Sequence, residues 1–208
     1  MRYGSERKAQ MCCRYYGDHE LEEDISAQIL YKKTGIGTGI PTGEVRPSES
    51  PLILTEQAGA VFARPMSWGF RNPSHNGLLI NARTESAEEK VSFRDSFARF
   101  RCIVPARGFF EWDHAHQLTG FEREDAAPIY MAGLYRVEKR DGKDVSVFVV
   151  LTRPADRIVS PVHDRMPVLL SASEAEYYMK EKTSARDLLA VTPPALKCMR
   201  TYEQISLF

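Results

Sequence analysis

Two apolar runs decide the fold class, Ile129-Tyr-Met-Ala-Gly-Leu-Tyr135 and Val145-Ser-Val-Phe-Val-Val-Leu151, with the dipeptide Asp141-Gly142 between them. Both runs are rich in β-branched and aromatic residues, and Asp-Gly supplies the positive φ angles of a tight turn, so the stretch reads as an antiparallel hairpin. Upstream, Cys102-Ile-Val104 and Gly108-Phe-Phe-Glu-Trp112 extend this strand-rich middle. Leu52–Leu54 and Ala60–Ala63 read as earlier strands, and Cys13-Arg-Tyr-Tyr16 as a short strand opening the fold. Leu21, Ile25, Gln28, Ile29 and Lys32 recur at helical spacing, which predicts a surface helix over Leu21–Lys33 capped by Asp18. Thr34–Pro51 is crowded with glycine and proline and reads as a long ordered loop. Phe93, Phe97 and Phe100 share one helical stripe and read as core. Ala155–Ser160, Ser173–Lys180 and Ala185–Ala190 read as helices, with Ser171 or Ser173 as a cap. The expected fold is α+β: a single strand-rich domain with antiparallel or mixed, barrel-like sheets and peripheral helices.

Length and composition agree with that reading. The chain has 208 residues, room for one sizeable core, and 43% apolar against 27% charged residues argues against wholesale disorder. Formal net charge is zero, which excludes a uniformly basic coat for nucleic acid. A local basic face is still open, because eight Lys and Arg face four Asp and Glu between Val61 and Phe110. No apolar run approaches the roughly 18–20 residues of a membrane helix, so no membrane partner is expected. Met1–Gln10 is charged and polar and reads as a flexible extension, an upstream start or a leader, with the folded domain beginning at Met11. Cysteines at 12, 13, 102 and 198 follow no disulfide or metal spacing, and reduced thiols in a cytoplasm fit them best.

Three segments hold polar residues that a plain core would not choose: Asn81-Ala-Arg-Thr-Glu85, Gly108-Phe-Phe-Glu111-Trp112 and His163-Asp-Arg-Met-Pro167. Strand alternation puts Glu111 on the face opposite Phe110 and Trp112. It is then either a solvent-facing glutamate or, if both faces are covered, a desolvated carboxyl suited to exchanging protons. His163 is either a structural histidine or an imidazole presented by a loop. Arg83 and Glu85 share one face if extended, as a phosphate-reading arginine oriented by a carboxylate or as a surface ion pair. Trp68 stacks near a base or fills core. His114 and His116 are spaced to chelate a metal, but no third ligand stands at a suitable distance.

Taken in order, Met11-Cys12-Cys13-Arg14-Tyr15, Trp68-Gly69-Phe70, Asn81-Ala82-Arg83-Thr84-Glu85, Phe109-Phe110-Glu111-Trp112 and His163-Asp164-Arg165-Met166-Pro167 closely resemble the SOS-response-associated peptidase (SRAP) family. The resemblance runs from Met11 to about Lys180. It implies a single strand-rich α+β domain that recognises abasic sites in single-stranded DNA and becomes covalently attached to them. It implies a thiazolidine made by an N-terminal cysteine, here Cys12, after removal of residues 1–11. An α-amino group, with a reference pKa of about 7.7–8.0 against about 10.4 for lysine, is the better amine near neutrality. Carried onto this sequence, Glu111 helps open the sugar and moves protons during imine formation, and His163 is the second proton donor and acceptor. Arg83 holds a phosphate, Asn81 orients the strand, and Arg14 and Trp68 complete the DNA contacts. Where the family has an asparagine, this chain has Glu44, and Cys13 stands where glycine is usual.

No metal or organic cofactor is required by this chemistry. The implied partner is single-stranded DNA containing abasic sites, with a monomer in a cytoplasmic, nucleoid-associated setting. Two other readings compete: a cysteine peptidase using Cys12, His163 and Glu111, with its own leader as one substrate, and a non-covalent single-stranded DNA-binding module.

Overall fold

The computed structural model describes residues 14–34, 40, 42–74, 76–181 and 183–199. The predicted extension at residues 1–10 and the expected nucleophile Cys12 lie outside the described residues. The chain runs through β1 (Arg14–Gly17), α1 (Leu21–Gln28), β2 (Tyr31–Lys33), β3 (Gly43–Val45), β4 (Leu52–Gln57) and β5 (Ala60–Pro65). Short strands follow: β6 (Ser67–Trp68), β7 (Phe70–Arg71), β8 (Leu78–Leu79) and β9 (Asn81–Arg83). Then come α2 (Thr84–Ala87), α3 (Arg94–Arg99), β10 (Arg101–Ala106), β11 (Gly108–Trp112), β12 (Leu118–Arg123), β13 (Ile129–Arg140) and β14 (Lys143–Pro154). The last elements are β15 (Arg165–Pro167), β16 (Leu169–Leu170), α4 (Ala172–Lys180), α5 (Ala185–Ala190) and β17 (Leu196–Met199).

The hairpin predicted from Asp141-Gly142 is the longest feature of the fold. Arg140 pairs with Lys143 across a two-residue turn whose φ angles are +50° and +78°. Both central residues thus adopt the left-handed region that gives the turn the twist of its strands. Around this hairpin a ten-stranded sheet takes the order β15-β14-β13-β10-β4-β5-β2, with β16 on β13 and both β6 and β9 on β14. It is mixed, since β2, β6 and β9 pair in parallel. A second, five-stranded sheet has the order β17-β12-β11-β1-β3 and is antiparallel throughout. Gly108 lets its strands close up: a Cβ there would lie 2.6 Å from both the Phe121 carbonyl and the Tyr16 ring, so only glycine fits.

The two sheets share an apolar layer. Tyr15, Phe109 and Phe121 come from the smaller sheet, and Trp68, Cys102, Val104, Met131, Phe148 and Val150 from the larger. On the larger sheet's other face, Leu54, Ile103, Leu134, Val149 and Leu151 pack under Leu21, Ile25 and Ile29 of the α1 segment and Tyr178 of α4. Each such side chain contributes roughly 1.5–3 kcal/mol by leaving water. Ser171 caps α4 and Ser184 caps α5, each with a reciprocal acidic partner three residues on.

Four expectations are corrected. The helix predicted over Leu21–Lys33 stops at Gln28, because Leu21, Ile25 and Ile29 exhaust its buried stripe, Leu30 is 90% exposed, and Tyr31–Lys33 gains a parallel ladder with β5. The loop predicted over Thr34–Pro51 contains β3, paired with β1. Ala155–Ser160 forms turns instead of a helix, since Asp156 Oδ1 accepts from the N–H groups of Ile158 and Val159 at 2.8 and 2.9 Å and competes with helical pairing. Phe93 and Phe97 are core, but Phe100 lies past the end of α3 and is 38% exposed, its ring edge-on to Tyr135.

Several carboxylates are held ionised by arginines. Hydrogen bonds from Arg165 hold the Glu85 carboxyl below its ordinary value, outweighing its burial. Burial pushes Glu138 and Asp18 upward, but the guanidiniums of Arg136 and Arg140 at the first and of Arg107 at the second reverse the sign. A carboxyl depressed in the folded state stabilises it above the unfolded-state pKa, and that stabilisation is lost as pH falls through the folded value. The urea midpoint is therefore expected to stay level above about pH 5 and to fall between about pH 4.5 and 3. A midpoint that is unchanged or rising through that window contradicts the assignment.

Candidate functional site

Strand β14 organises the site. Along its length it receives, in order, Ser67-Trp68 opposite Val147-Phe148, Asn81–Arg83 opposite Val150–Thr152, and Arg165–Pro167 opposite Thr152–Pro154. Three of the polar or aromatic segments singled out in the sequence are thus laid side by side on one strand. The other two, the β1 and β11 segments, are neighbours in the facing sheet, with Arg14 opposite Phe110 and Tyr15 opposite Phe109. The sheets meet where the Tyr15 ring stands 5.3 Å from that of Trp68.

Alternation assigns the faces. Phe109 lies in the apolar layer between the sheets, so Glu111 projects to the same side, and it is fully buried. The solvent-facing alternative for Glu111 is excluded. Ala82 lies in the helix-side core with Leu151, so Asn81 and Arg83 project toward the inter-sheet layer, Asn81 half-buried and Arg83 exposed. His163 is 93% buried on the turn after β14, whose Val159 and following Met166 belong to that same layer. Its Nδ1 meets the Arg165 N–H at 3.0 Å, the contact that favours a proton on Nε2, and also lies 3.2 Å from Asp164 Oδ1 and 3.3 Å from the Arg165 carbonyl, two acceptors. Glu111, Asn81 and Arg83 therefore face the layer between the sheets, and His163 is buried on a turn whose neighbours Val159 and Met166 belong to that layer.

Trp68 does not join them as a surface group. It is fully enclosed, 5.9 Å from the Phe148 ring, and its indole N–H donates to the Ile80 carbonyl at 2.9 Å. Of its two readings, base stacking or core, the structure selects core: Trp68 supports Asn81 from below through the neighbouring Ile80. Arg14 is separated differently. It lies on the outer face of β1, with its guanidinium 5.4 Å from the Trp112 ring and 3.3 Å from Glu44. Glu44 is also paired with Arg46 at 3.0 Å, so the carboxylate at the family's asparagine position is neutralised by two arginines.

Glu85 does not pair with Arg83 as their spacing suggested. It turns to Arg165, 80 residues away, in a bidentate ion pair whose second contact is 2.8 Å. Arg165 and Thr152 are the functional candidates that the sequence conceals: Arg165 lies in a segment singled out for its histidine, and Thr152 gives no signal at all. Among the described residues no cluster of three His, Cys, Asp or Glu side chains could hold a metal, and no helix is long and apolar enough to cross a membrane.

Comparison with known proteins converges on one family. The family model for "SOS response associated peptidase (SRAP)" matches residues 11–206. The chain is 31% identical over 172 residues to the abasic site processing protein YedK of Escherichia coli, covering 80% of this chain and 75% of that one. It is 26% identical over 209 residues to the abasic site processing protein YoqW of Bacillus subtilis, covering 95% and 93%. Among solved structures, a Bordetella bronchiseptica protein superposes with a TM-score of 0.77 at 22% identity, covering 92% of this chain and all of that one. A Bacteroides thetaiotaomicron protein gives 0.73 at 19% identity, covering 93% of each.

Proposed function

We propose that this chain, which belongs to the SOS response associated peptidase (SRAP) family, recognises abasic sites in single-stranded DNA and captures them covalently through Cys12 as the first residue of the mature protein. The observation that carries the reading is the assembly around β14. It puts an exposed arginine and a half-buried asparagine on the side of the larger sheet that faces the layer in which the smaller sheet buries Glu111, with a buried histidine on the turn that leads into β15. Relatives named for abasic site processing and a family match that begins at Met11 support it further. In the sequence Cys12 stands two residues before Arg14, and Arg14 is paired with the residue beside Glu111.

The chemistry follows from those groups. An abasic deoxyribose opens from its hemiacetal to an aldehyde when a proton is removed from the C1′ hydroxyl and one is returned to the ring oxygen. Glu111, desolvated between the sheets, is suited to both transfers. The free amine of Cys12 adds to C1′, water leaves with a proton supplied by an acid, and an imine remains. The Cys12 thiol then adds to the imine carbon and its proton passes to the nitrogen, closing a five-membered thiazolidine with net loss of one water. His163, its ring held at Nδ1 by the Arg165 N–H, is the second proton carrier. Arg83 holds a phosphate beside the lesion by paired hydrogen bonds while Asn81 orients the strand.

The test is direct. Purified protein is incubated with a uracil-containing single strand treated with uracil glycosylase, then run on a denaturing gel and weighed intact. The expected product is a shifted band whose mass equals the chain from Cys12 plus the abasic strand minus one water. No shifted band, or an adduct that still carries residues 1–11, overturns the proposal. Loss of residues 1–11 without DNA and without any adduct would favour the peptidase reading.

A further inference from the structure

We propose that Arg165 and Glu85 form a clamp, closed on the Thr152 carbonyl, that fixes His163 and Arg83 relative to one another; this rests on the roles given to those two residues above. Arg165 faces Pro154, the last residue of β14, and its side chain reaches back along that strand. One of its Nη atoms donates to the Thr152 carbonyl at 2.7 Å, and the guanidinium grips the Glu85 carboxylate with two donors.

The same carbonyl accepts a second bond, 2.9 Å long, from Thr84 Oγ1. Thr152 is itself the β14 partner of Arg83. Arg83 is therefore held in its strand and followed at once by Thr84, which shares the buried Thr152 oxygen with Arg165, and by Glu85, which binds the Arg165 guanidinium. At its other end Arg165 reaches His163, its backbone N–H donating to Nδ1 at 3.0 Å. One residue thus touches the imidazole through its main chain and the phosphate-contact segment through its side chain. Arg165 is 93% buried, and its Nε has no hydrogen-bond partner. A buried guanidinium that leaves one donor unsatisfied and gives two others to a carboxylate 38% exposed is poorly explained by stability, since an ion pair open to water on one side contributes little. Its geometry is explained if the two segments must keep a fixed separation and if the ring must keep its proton on Nε2.

The experiment compares the full chain with Glu85→Gln, Arg165→Met and Arg165→Lys. Nitrogen-detected NMR reads the His163 tautomer without DNA, thermal melting reads folding, and single-turnover adduct formation is followed over a range of abasic-strand concentrations. Glu85→Gln and Arg165→Met are expected to convert His163 from one Nε2–H tautomer to a mixture. They are expected to lower the maximal adduct rate by about 10–100-fold while half-saturation moves less than about threefold, because Arg83 can still reach phosphate. Arg165→Lys, which can satisfy Thr152 or Glu85 but not both bidentately, is expected to fall between. A wild-type tautomer and rate in folded Glu85→Gln and Arg165→Met overturn the clamp, as does a change in half-saturation alone. If Arg165→Met melts below the assay temperature, Glu85→Gln decides, because it removes a charge and no volume. Should the unaltered chain form no adduct, the functional reading fails, while the tautomer still decides whether the clamp exists.

Discussion

A mature chain carrying Cys12→Ala is expected to lose its heat-stable adduct by more than about 100-fold, because alanine keeps the amine but removes the thiol that closes the ring. The distinction matters because the two nucleophiles make different bonds. The amine alone forms an imine, which water reverses, whereas amine and thiol together hold the same carbon in a five-membered ring. Reductive trapping with borohydride is therefore expected to restore a band in Cys12→Ala. A chain that keeps residues 1–11 is expected to give no heat-stable band without trapping, since its Cys12 nitrogen is an amide and its thiol alone makes only a reversible hemithioacetal. Cys13→Ser should retain the adduct, because a neighbouring thiol has no free amine of its own. The readout is band intensity on a denaturing gel with intact mass of each species. Undiminished adduct in Cys12→Ala, or a heat-stable adduct of the blocked chain without trapping, would transfer the chemistry to another nucleophile and sink the thiazolidine account.

What the sequence reveals of this molecule follows the range of the forces involved. Asp141-Gly142 announces its hairpin because the turn's φ angles are a local property, and β13 and β14 follow at full length. Three-residue β2 and β3 are invisible for the opposite reason: they exist through partners, β5 and β1, some thirty residues away. The site divides in the same way. Alternation in Phe109-Phe110-Glu111-Trp112 separates Glu111 from its aromatic neighbours, but which face is covered depends on the larger sheet, which supplies Trp68 and Phe148. Trp68 is equally a stacking platform or core until the rings of Tyr15 and Phe148 close over it. Arg83 and Glu85 look like partners at two-residue spacing. Turning into α2 after Arg83 carries Glu85 away to Arg165, a pairing that only the course of β14 makes. Motifs therefore locate the reacting groups, and the long strand on which they are laid determines how those groups are held.

Glu111→Gln separates the chemical role of this carboxyl from its structural one, since the amide matches its shape and cannot exchange a proton in the same way. Loss of a positioned acid–base group costs about 10²–10⁴-fold in rate, and the rate of adduct formation is expected to fall within that range while binding to the abasic strand is retained. The full burial of Glu111 makes the expectation sharp. Phe109 stands beside it on the same side of the strand, so the carboxyl is withdrawn from bulk water. Because the amide keeps the shape of the side chain, the melting temperature of Glu111→Gln is expected to stay close to that of the unaltered chain. A structural glutamate gives the opposite pattern: a lower melting temperature with an adduct rate unchanged at temperatures where the variant is folded. Rate against abasic-strand concentration, measured by quenched single turnover beside a thermal melt of the same preparation, distinguishes the two. A rate within about threefold of wild type would remove Glu111 from the mechanism and leave His163 to carry both proton transfers.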